Sequence, residues 1–336
     1  MGAAMAGRLL AAGYSVTVFS RTPSKTLPLQ SQGVVLASSP LELAQLADVV
    51  FTMVGHPSDV KSVVLGPTGV LAGLKPNSVT VDMTTSHPAL AREIFASARE
   101  KNCWSVDAPV SGGDIGAREG KLAILAAGDS GVVEWLSPLF EVMGKATYMG
   151  RAGCGQSCKI ANQVVVGANL LGLSEGLMFA EKAGLDVKQF VEAIRGGAAG
   201  SKVMELFGER IIGRDFRAGG FTEYMVKDLG MGVDVVEEED DGKVVVMPGA
   251  SLSKQLFSAM VANGDGKLGT QGLITVIERL NGYLFSLLRQ FDLVPTKEFF
   301  SKRLWDAQGL FTLLREGQWE MKWDFDGCCW IGMKRV

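Results

Sequence analysis

A lysine and an asparagine three residues apart are the first candidates for chemistry in this chain of 336 residues. Lys159 and Asn162 lie within a stretch of small and apolar residues, 150–185, and their spacing places both side chains on one face of a helix. A lysine in such a stretch is usually a surface residue whose ammonium group reaches solvent. A partly desolvated lysine instead holds its proton less tightly and can transfer protons, so Lys159 is a candidate acid/base.

A second candidate site is the turn Ser111-Gly112-Gly113, which follows the β-rich segment 104–110. At the carboxyl end of a strand, such a turn offers a hydroxyl group and unobstructed backbone N–H groups, which can bind a carboxylate or a phosphate. The alternative is an ordinary tight turn. A further pair, Lys227-Asp228, lies in a helical stretch, where an ordinary ion pair on a helix is the simplest interpretation.

The N-terminal sequence predicts the second half of a nucleotide-binding βαβ unit. The helical pattern of residues 1–13 precedes a predicted strand at 15–19, so Gly2 would be the last glycine of a dinucleotide fingerprint. We expect the first strand and the leading glycines to precede Met1. An NAD-binding unit usually ends this second strand with a carboxylate, but this strand is followed by Ser20, Arg21 and Thr22. A guanidinium group suits a 2′-phosphate, which favours NADP(H) and leaves NAD(H) possible, and the alternative is a solvated turn.

Composition excludes several other functions. The net charge of −3 argues against nucleic acid or an anionic membrane as a main partner. The two histidines both stand next to proline, no tyrosine precedes a lysine by four residues, and the five cysteines form no CxxC motif or zinc-site pattern, so we expect no bound metal. If the chain moves a hydride, lysine is the best remaining acid/base.

The hydrophobic pattern predicts an α/β protein with a second, all-helical domain. Strands alternate with helices over residues 1–150, where helical spacing occurs at 39–47 and 87–101, and this alternation indicates a doubly wound parallel sheet lacking its first strand. Helical patterns dominate 151–282, and the longest of them covers 155–183. The uncharged run 160–174 is too short to span a bilayer and predicts a buried helix. We expect the acidic segment 237–243 to be a solvated loop and the tail 283–336, which has no periodicity, to be atypical.

Taken together, these motifs resemble the β-hydroxyacid dehydrogenase family, and within it the plant 3-hydroxyisobutyrate dehydrogenase-like proteins. The resemblance covers residues 1–282 and rests on MGAAMAGRLLAAGYSVTVFSRT, FTMVGHPSDV, VDMTTSHP, DAPVSGG, GCGQSCKIANQ, FTEYMVKDLGM and DGKLGTQGLITVIERLNG. It implies a Rossmann domain followed by an all-helical domain of the 6-phosphogluconate dehydrogenase type.

The resemblance also implies roles for individual residues. It makes Lys159 the catalytic acid/base and gives the substrate Ser111, Gly112, Gly113, Asn162 and Asp228. It gives the cofactor Gly2, Ser20, Arg21, Thr22, Val54, Gly55, Thr85 and Lys227.

The implied function is an NAD(P)-dependent oxidoreductase of small β-hydroxyacids, of the kind used in valine catabolism. One alternative is an NADPH-dependent reductase of glyoxylate or succinic semialdehyde, and another is a non-catalytic truncated product whose helical domain only dimerises. The expected partners are a hydroxyacid or semialdehyde substrate and further copies of the chain, with no nucleic acid and no membrane. The sequence leaves the compartment open between the mitochondrion and the cytoplasm.

Overall fold

The computed structural model describes residues 1–238 and 245–282 of the chain. Residues Met1–Leu280 form one compact unit, and the segment Asn281–Val336 is divided from it. The predictions for the tail 283–336 and for most of the acidic loop, residues 239–243, lie outside the described residues. The helix that precedes this loop extends to Glu238.

Eight short strands lie in the first half of the unit. They are β1 (Thr17–Val18), β2 (Val35–Leu36), β3 (Val49–Thr52), β4 (Val79–Asp82), β5 (Trp104–Asp107), β6 (Val110–Ser111), β7 (Leu122–Gly128) and β8 (Gly144–Tyr148). Strands β1 and β2 pair with each other in parallel, and the other six form a sheet of order β3-β4-β5-β7-β6, with β8 paired to β7. All four residues of β4 are buried, as is typical of a sheet covered on both faces.

The strand directions differ in one respect from the predicted parallel sheet. The pairs β3–β4, β4–β5 and β7–β8 are parallel, whereas β7 runs antiparallel to both β5 and β6. The connection from β6 to β7 covers only residues 112–121, which is shorter than the crossover that parallel neighbours need. The α/β class is confirmed, with a mixed rather than an all-parallel sheet.

Nine helices accompany the strands: α1 (Gly2–Ala11), α2 (Leu27–Gln30), α3 (Pro40–Leu46), α4 (Pro57–Leu65), α5 (Val70–Gly73), α6 (Pro88–Glu100), α7 (Gly113–Glu119), α8 (Ser130–Trp135) and α9 (Ser137–Met143). Local capping explains where the predicted ones begin. Ser39 accepts a hydrogen bond from the Glu42 N–H at the start of α3, and the Glu42 carboxylate accepts one from the Ser38 N–H. Proline occupies the first turn of both α3 and α6, where its missing N–H costs no helical bond.

The second half of the unit is helical, with α10 (Cys154–Lys182), α11 (Val187–Ile194), α12 (Lys202–Ile212), α13 (Thr222–Glu238), α14 (Pro248–Met260) and α15 (Ile274–Leu280). Helix α10 packs against α12, α13, α14 and α15, and its first turns lie against β7. Within the described residues, α10 alone is long and apolar enough to cross a membrane by length and composition, a test that core helices of soluble proteins also pass. Its buried residues include Leu170 and Ser174, both fully enclosed by neighbouring helices.

Candidate active site

The carboxyl ends of the strands converge on one large cavity, which has a volume of about 2350 Å³. Residues Val54 and Gly55 follow β3, and residues 84–86 follow β4, so both segments reach the edge where open α/β sheets bind ligands. Helices α10 and α13 supply the facing wall. Every residue predicted to touch substrate or cofactor lines this cavity: Gly2, Ser20, Arg21, Thr22, Val54, Gly55, Thr85, Ser111, Gly112, Gly113, Lys159, Asn162, Lys227 and Asp228.

The turn after β6 is formed by two glycines in left-handed backbone conformations. Gly112 has a φ of 127° and Gly113 a φ of 63°, both in the region where residues with a side chain are strained. The turn lies beside Ser111 at the start of α7, which has no side-chain cap, and its two glycines carry no side chain that could obstruct their backbone N–H groups. The arrangement can hold a carboxylate.

Lys159 is buried in the first turns of α10, with only 6% of its surface exposed. Its Nζ donates a hydrogen bond to Gln163 Oε1 at 2.8 Å, and Asn162 Nδ2 donates to the same oxygen at 3.0 Å. Burial lowers the pKa of Lys159 to about 8, Asp228 partly opposes this shift, and Lys227 adds to it. A lysine with this pKa exchanges its proton near neutral pH.

A chain of polar contacts joins Lys159 to the other side of the cavity. Gln163 Nε2 donates to Asp228 Oδ2 at 2.7 Å, and Asp228 Oδ1 lies 3.0 Å from Lys227 Nζ. Lys227 Nζ in turn donates to the backbone oxygen of Thr85 at 2.6 Å. The Lys227-Asp228 ion pair of α13 is therefore buried, and it connects this helix to Gln163 of α10 and to the Thr85 backbone.

Glycine at position 155 lets α10 start close to the sheet. A side chain there would overlap the Leu125 and Asp107 backbone oxygens. This close approach brings the first turns of α10, and Lys159 with them, over the ends of the strands. It gives a steric reason for the glycine in the spacing Gly155-x-x-x-Lys159-x-x-Asn162.

The opposite end of the cavity has features that fit a dinucleotide. Gly2 begins α1 without a side-chain cap and with no acidic residue in its first turn, so the amides there are available to a pyrophosphate. Arg21 lies beyond β1, and its guanidinium donates to Asp59 Oδ1 at 2.7 Å; Arg21 lowers the pKa of Asp59. The sequence near β1 lacks a carboxylate, but α4 supplies one from 38 residues away. The neighbouring Ser20 and Thr22 hydrogen-bond to each other.

Several residues that contact the predicted ones escaped the sequence analysis. The Gln163 side chain is the centre of the lysine network, and its position four residues after Lys159 could have revealed it. Tyr224 packs edge-on against His56, with ring centroids 5.6 Å apart, and Lys227 Nζ lies 5.7 Å from its ring centroid. Tyr224 precedes Lys227 by one turn of α13, which is the signal that could have located it.

Two family models cover nearly all of the unit. The model for the NAD-binding domain of 6-phosphogluconate dehydrogenase matches residues 1–152. The model for the NAD-binding domain of NADP-dependent 3-hydroxyisobutyrate dehydrogenase matches residues 153–277.

Proteins of similar sequence have names that match these two family models. The probable 3-hydroxyisobutyrate dehydrogenase-like 3, mitochondrial, of Arabidopsis thaliana is 61% identical over 84% of this chain and 86% of its own. The 2-hydroxy-3-oxopropionate reductase of Escherichia coli (strain K12) is 35% identical over 83% and 94% of the two chains.

Among solved structures, the 3-hydroxyisobutyrate dehydrogenase of Mycobacterium tuberculosis with L-serine has a TM-score of 0.74 and 29% identity. It matches 82% of this chain and 95% of its own. Psf3 in complex with NADP+ and 2-OPP has a TM-score of 0.76 and 25% identity, over 82% and 96% of the two chains.

Proposed function

Since this chain belongs to the β-hydroxyacid dehydrogenase family and is an NAD(P)-dependent oxidoreductase acting on a CH–OH group, we propose that it interconverts a small β-hydroxyacid and its semialdehyde, with Lys159 as acid/base. The nicotinamide, when bound, accepts or supplies the hydride. Lys159 Nζ takes the hydroxyl proton during oxidation and returns a proton to the carbonyl oxygen during reduction.

The observation that carries this proposal is the burial of Lys159 beside the strand ends, with its pKa lowered to about 8. An ordinary lysine holds its proton too tightly to act as a base near neutral pH. The hydrogen bond to Gln163 fixes the direction of the amine, so that its proton can pass to a substrate oxygen in the cavity.

We further propose that the substrate carboxylate binds at Ser111, Gly112 and Gly113, with Asn162 beside the reacting hydroxyl. The positive φ values at the two glycines support this, because they leave N–H groups free of side-chain obstruction. Asp228 acts through Gln163 and Lys227, since its carboxylate oxygens lie against those two side chains.

For the cofactor, we propose that residues 1–150 bind it and that NADP(H) is preferred over NAD(H). Arg21 would contact the 2′-phosphate, and the NADP+ complex among the similar structures supports this choice. The Asp59 carboxylate competes for the same guanidinium, which reduces the preference. The nicotinamide end would lie along Val54, Gly55 and Thr85, with Lys227 holding the Thr85 backbone.

Residues 151–282 would then form the substrate domain and the contact between copies in a homo-oligomer. The mitochondrial names of the Arabidopsis relatives support a mitochondrial location, and the 3-hydroxyisobutyrate dehydrogenase names support a role in valine catabolism. A second candidate reaction, reduction of a small semialdehyde by NADPH, is favoured by the likeness to the 2-hydroxy-3-oxopropionate reductase.

The test is steady-state turnover with a panel of small β-hydroxyacids and semialdehydes, with NADPH, NADP+ and the corresponding NAD forms. Because the neutral amine of Lys159 is the base, kcat for oxidation should rise as the pH increases through about 8, and kcat for reduction should fall over the same range. No turnover with any member of the panel, or rates independent of pH in this range, would contradict the proposal.

A further inference from the structure

The start of α10 is tied to the strand ends by a buried glutamine. Gln156 has no exposed surface, and both polar atoms of its carboxamide are used. Its Oε1 accepts a hydrogen bond from the Ser86 N–H at 2.8 Å, and its Nε2 donates to the Thr84 backbone oxygen at 2.8 Å. The side chain therefore binds two residues of the segment 84–86, which follows β4, across 70 residues of sequence.

The same three-residue segment receives contacts from two other elements. Lys227 of α13 donates to the Thr85 oxygen at 2.6 Å, between the two residues that Gln156 binds. The Val54 N–H, after β3, donates to Thr84 Oγ1 at 3.0 Å. The segment 84–86 thus makes hydrogen bonds with three elements, namely the turn after β3, helix α10 and helix α13.

The first turn of α10 is also capped from the sheet. Asp107, the last residue of β5, accepts from the Gly153 N–H at 2.8 Å and from the Gln156 N–H at 3.0 Å. Gln156 is therefore held through its side chain by β4 and through its backbone by β5. Lys159 lies three residues further, about 4.5 Å along the helix axis, so it moves with this turn.

We propose that Gln156 is a positioning residue, which sets the location of the Lys159 amine relative to Thr85 through its two bonds to the segment 84–86. The inference rests on the proposed role of Lys159. Gln156 itself does not line the cavity. It acts by holding the helix that carries the acid/base and the backbone predicted to line the nicotinamide in one rigid arrangement.

The main test compares Gln156→Met with Ser174→Ala in the full chain. Methionine keeps the length of the side chain but removes both bonds to residues 84 and 86. Ser174 is a buried polar residue further along α10, and its hydroxyl donates to the Leu170 oxygen at 2.8 Å. Both variants lose buried hydrogen bonds, but only Gln156→Met removes the bonds between α10 and the segment 84–86.

A misplacement of about 1 Å costs roughly 100-fold in rate, so kcat of Gln156→Met should fall about 10- to 100-fold while the Kd for NADPH stays within about threefold. Ser174→Ala should keep kcat within about twofold. In the cofactor-free protein, the Ser86 amide should exchange its hydrogen faster in Gln156→Met than in the wild type. A folded Gln156→Met variant with wild-type kcat would overturn the inference.

A second variant, Gln156→Glu, keeps the inference testable if the methionine variant does not fold. A neutral glutamic acid donates to the Thr84 oxygen and accepts from the Ser86 N–H as glutamine does, whereas the carboxylate cannot donate. Because position 156 has no exposed surface, burial should raise the pKa of a glutamic acid there well above its ordinary value. The kcat of Gln156→Glu relative to wild type should therefore rise as the pH is lowered from about 8 to about 6. Asp82 and Asp107 face the same hydrogen bonds from β4 and β5, and the ratio to wild type removes the part of their titration that both proteins share. A ratio that does not change with pH would count against the inference.

The failure of this inference differs from failure of the proposed function. If the wild type turns over no substrate, or Lys159 proves dispensable, the proposed function fails. If the wild type is active and Lys159 is essential but both Gln156 variants keep full kcat, only the positioning role fails.

Discussion

Replacing Lys159 by methionine should stabilise the protein and abolish its turnover. The reason is that the folded chain holds this ammonium group in an environment that disfavours its charge. Burial lowers the pKa of Lys159 from 10.5 to about 8, whereas an unfolded chain keeps the ordinary value. Methionine has a similar length and no charge to desolvate. The substitution leaves Gln163 Oε1 paired, because Asn162 Nδ2 still donates to it.

The size of the gain follows from the two pKa values. Their difference corresponds to roughly 3 kcal/mol of folding free energy. Because the folded pKa is depressed, the unfolded chain binds more protons between about pH 8 and 10.5, so the penalty is full below pH 8 and disappears as the pH rises past 10.5. At pH 7, the methionine variant should therefore gain about 2–3 kcal/mol, which is roughly 4–10 °C in Tm.

The assay is thermal unfolding at about pH 7 and about pH 10, with turnover measured on the same preparations. Lys182→Met is the matched control, because Lys182 ends the same helix in an exposed position, and its Tm should change little. If Lys159 instead stabilises the fold, replacing it by methionine lowers Tm at pH 7. If Lys159→Met lowers Tm at pH 7, or keeps kcat, the reasoning is refuted.

Four further substitutions test the remaining parts of the site. Lys159→Arg should lose about 10²–10⁴-fold in kcat, since guanidinium does not release its proton near neutral pH, while Lys182→Arg keeps wild-type turnover; an active Lys159→Arg enzyme would exclude the acid/base role. Asp59→Asn should free Arg21 and raise the ratio of kcat/KM for NADPH over NADH several-fold, whereas Arg21→Asp should lower it more than tenfold. An unchanged ratio in both would show that Arg21 does not bind the 2′-phosphate. Gly112→Ala places a side chain at a φ of 127°, and substrate KM should rise about tenfold while the Kd for NADPH stays constant; equal KM values would remove the turn from the substrate site.

Much of the fold followed from local sequence patterns. The long helix predicted at 155–183 is α10, Cys154–Lys182, and the helix predicted at 87–101 is α6, Pro88–Glu100. The predicted and observed bounds agree because helix formation depends on apolar spacing, proline in the first turn and capping residues, all of which are local features of the sequence. The strand β2, only two residues long, was missed because its residues are exposed and carry no alternation.

The sequence by itself determined which residue types and spacings meet at the strand ends, including Lys159 with Asn162 and the turn at Ser111. These follow from helix periodicity and turn chemistry, which are local properties of the chain. Only the tertiary structure decided what those residues contact. Asp59 reaches Arg21 across 38 residues, Asp228 reaches Gln163 across 65, and the Gly153 N–H reaches Asp107 across 46. Such partners depend on how elements pack, and the low pKa of Lys159 depends on the burial which that packing creates, so neither is encoded in any short stretch of sequence.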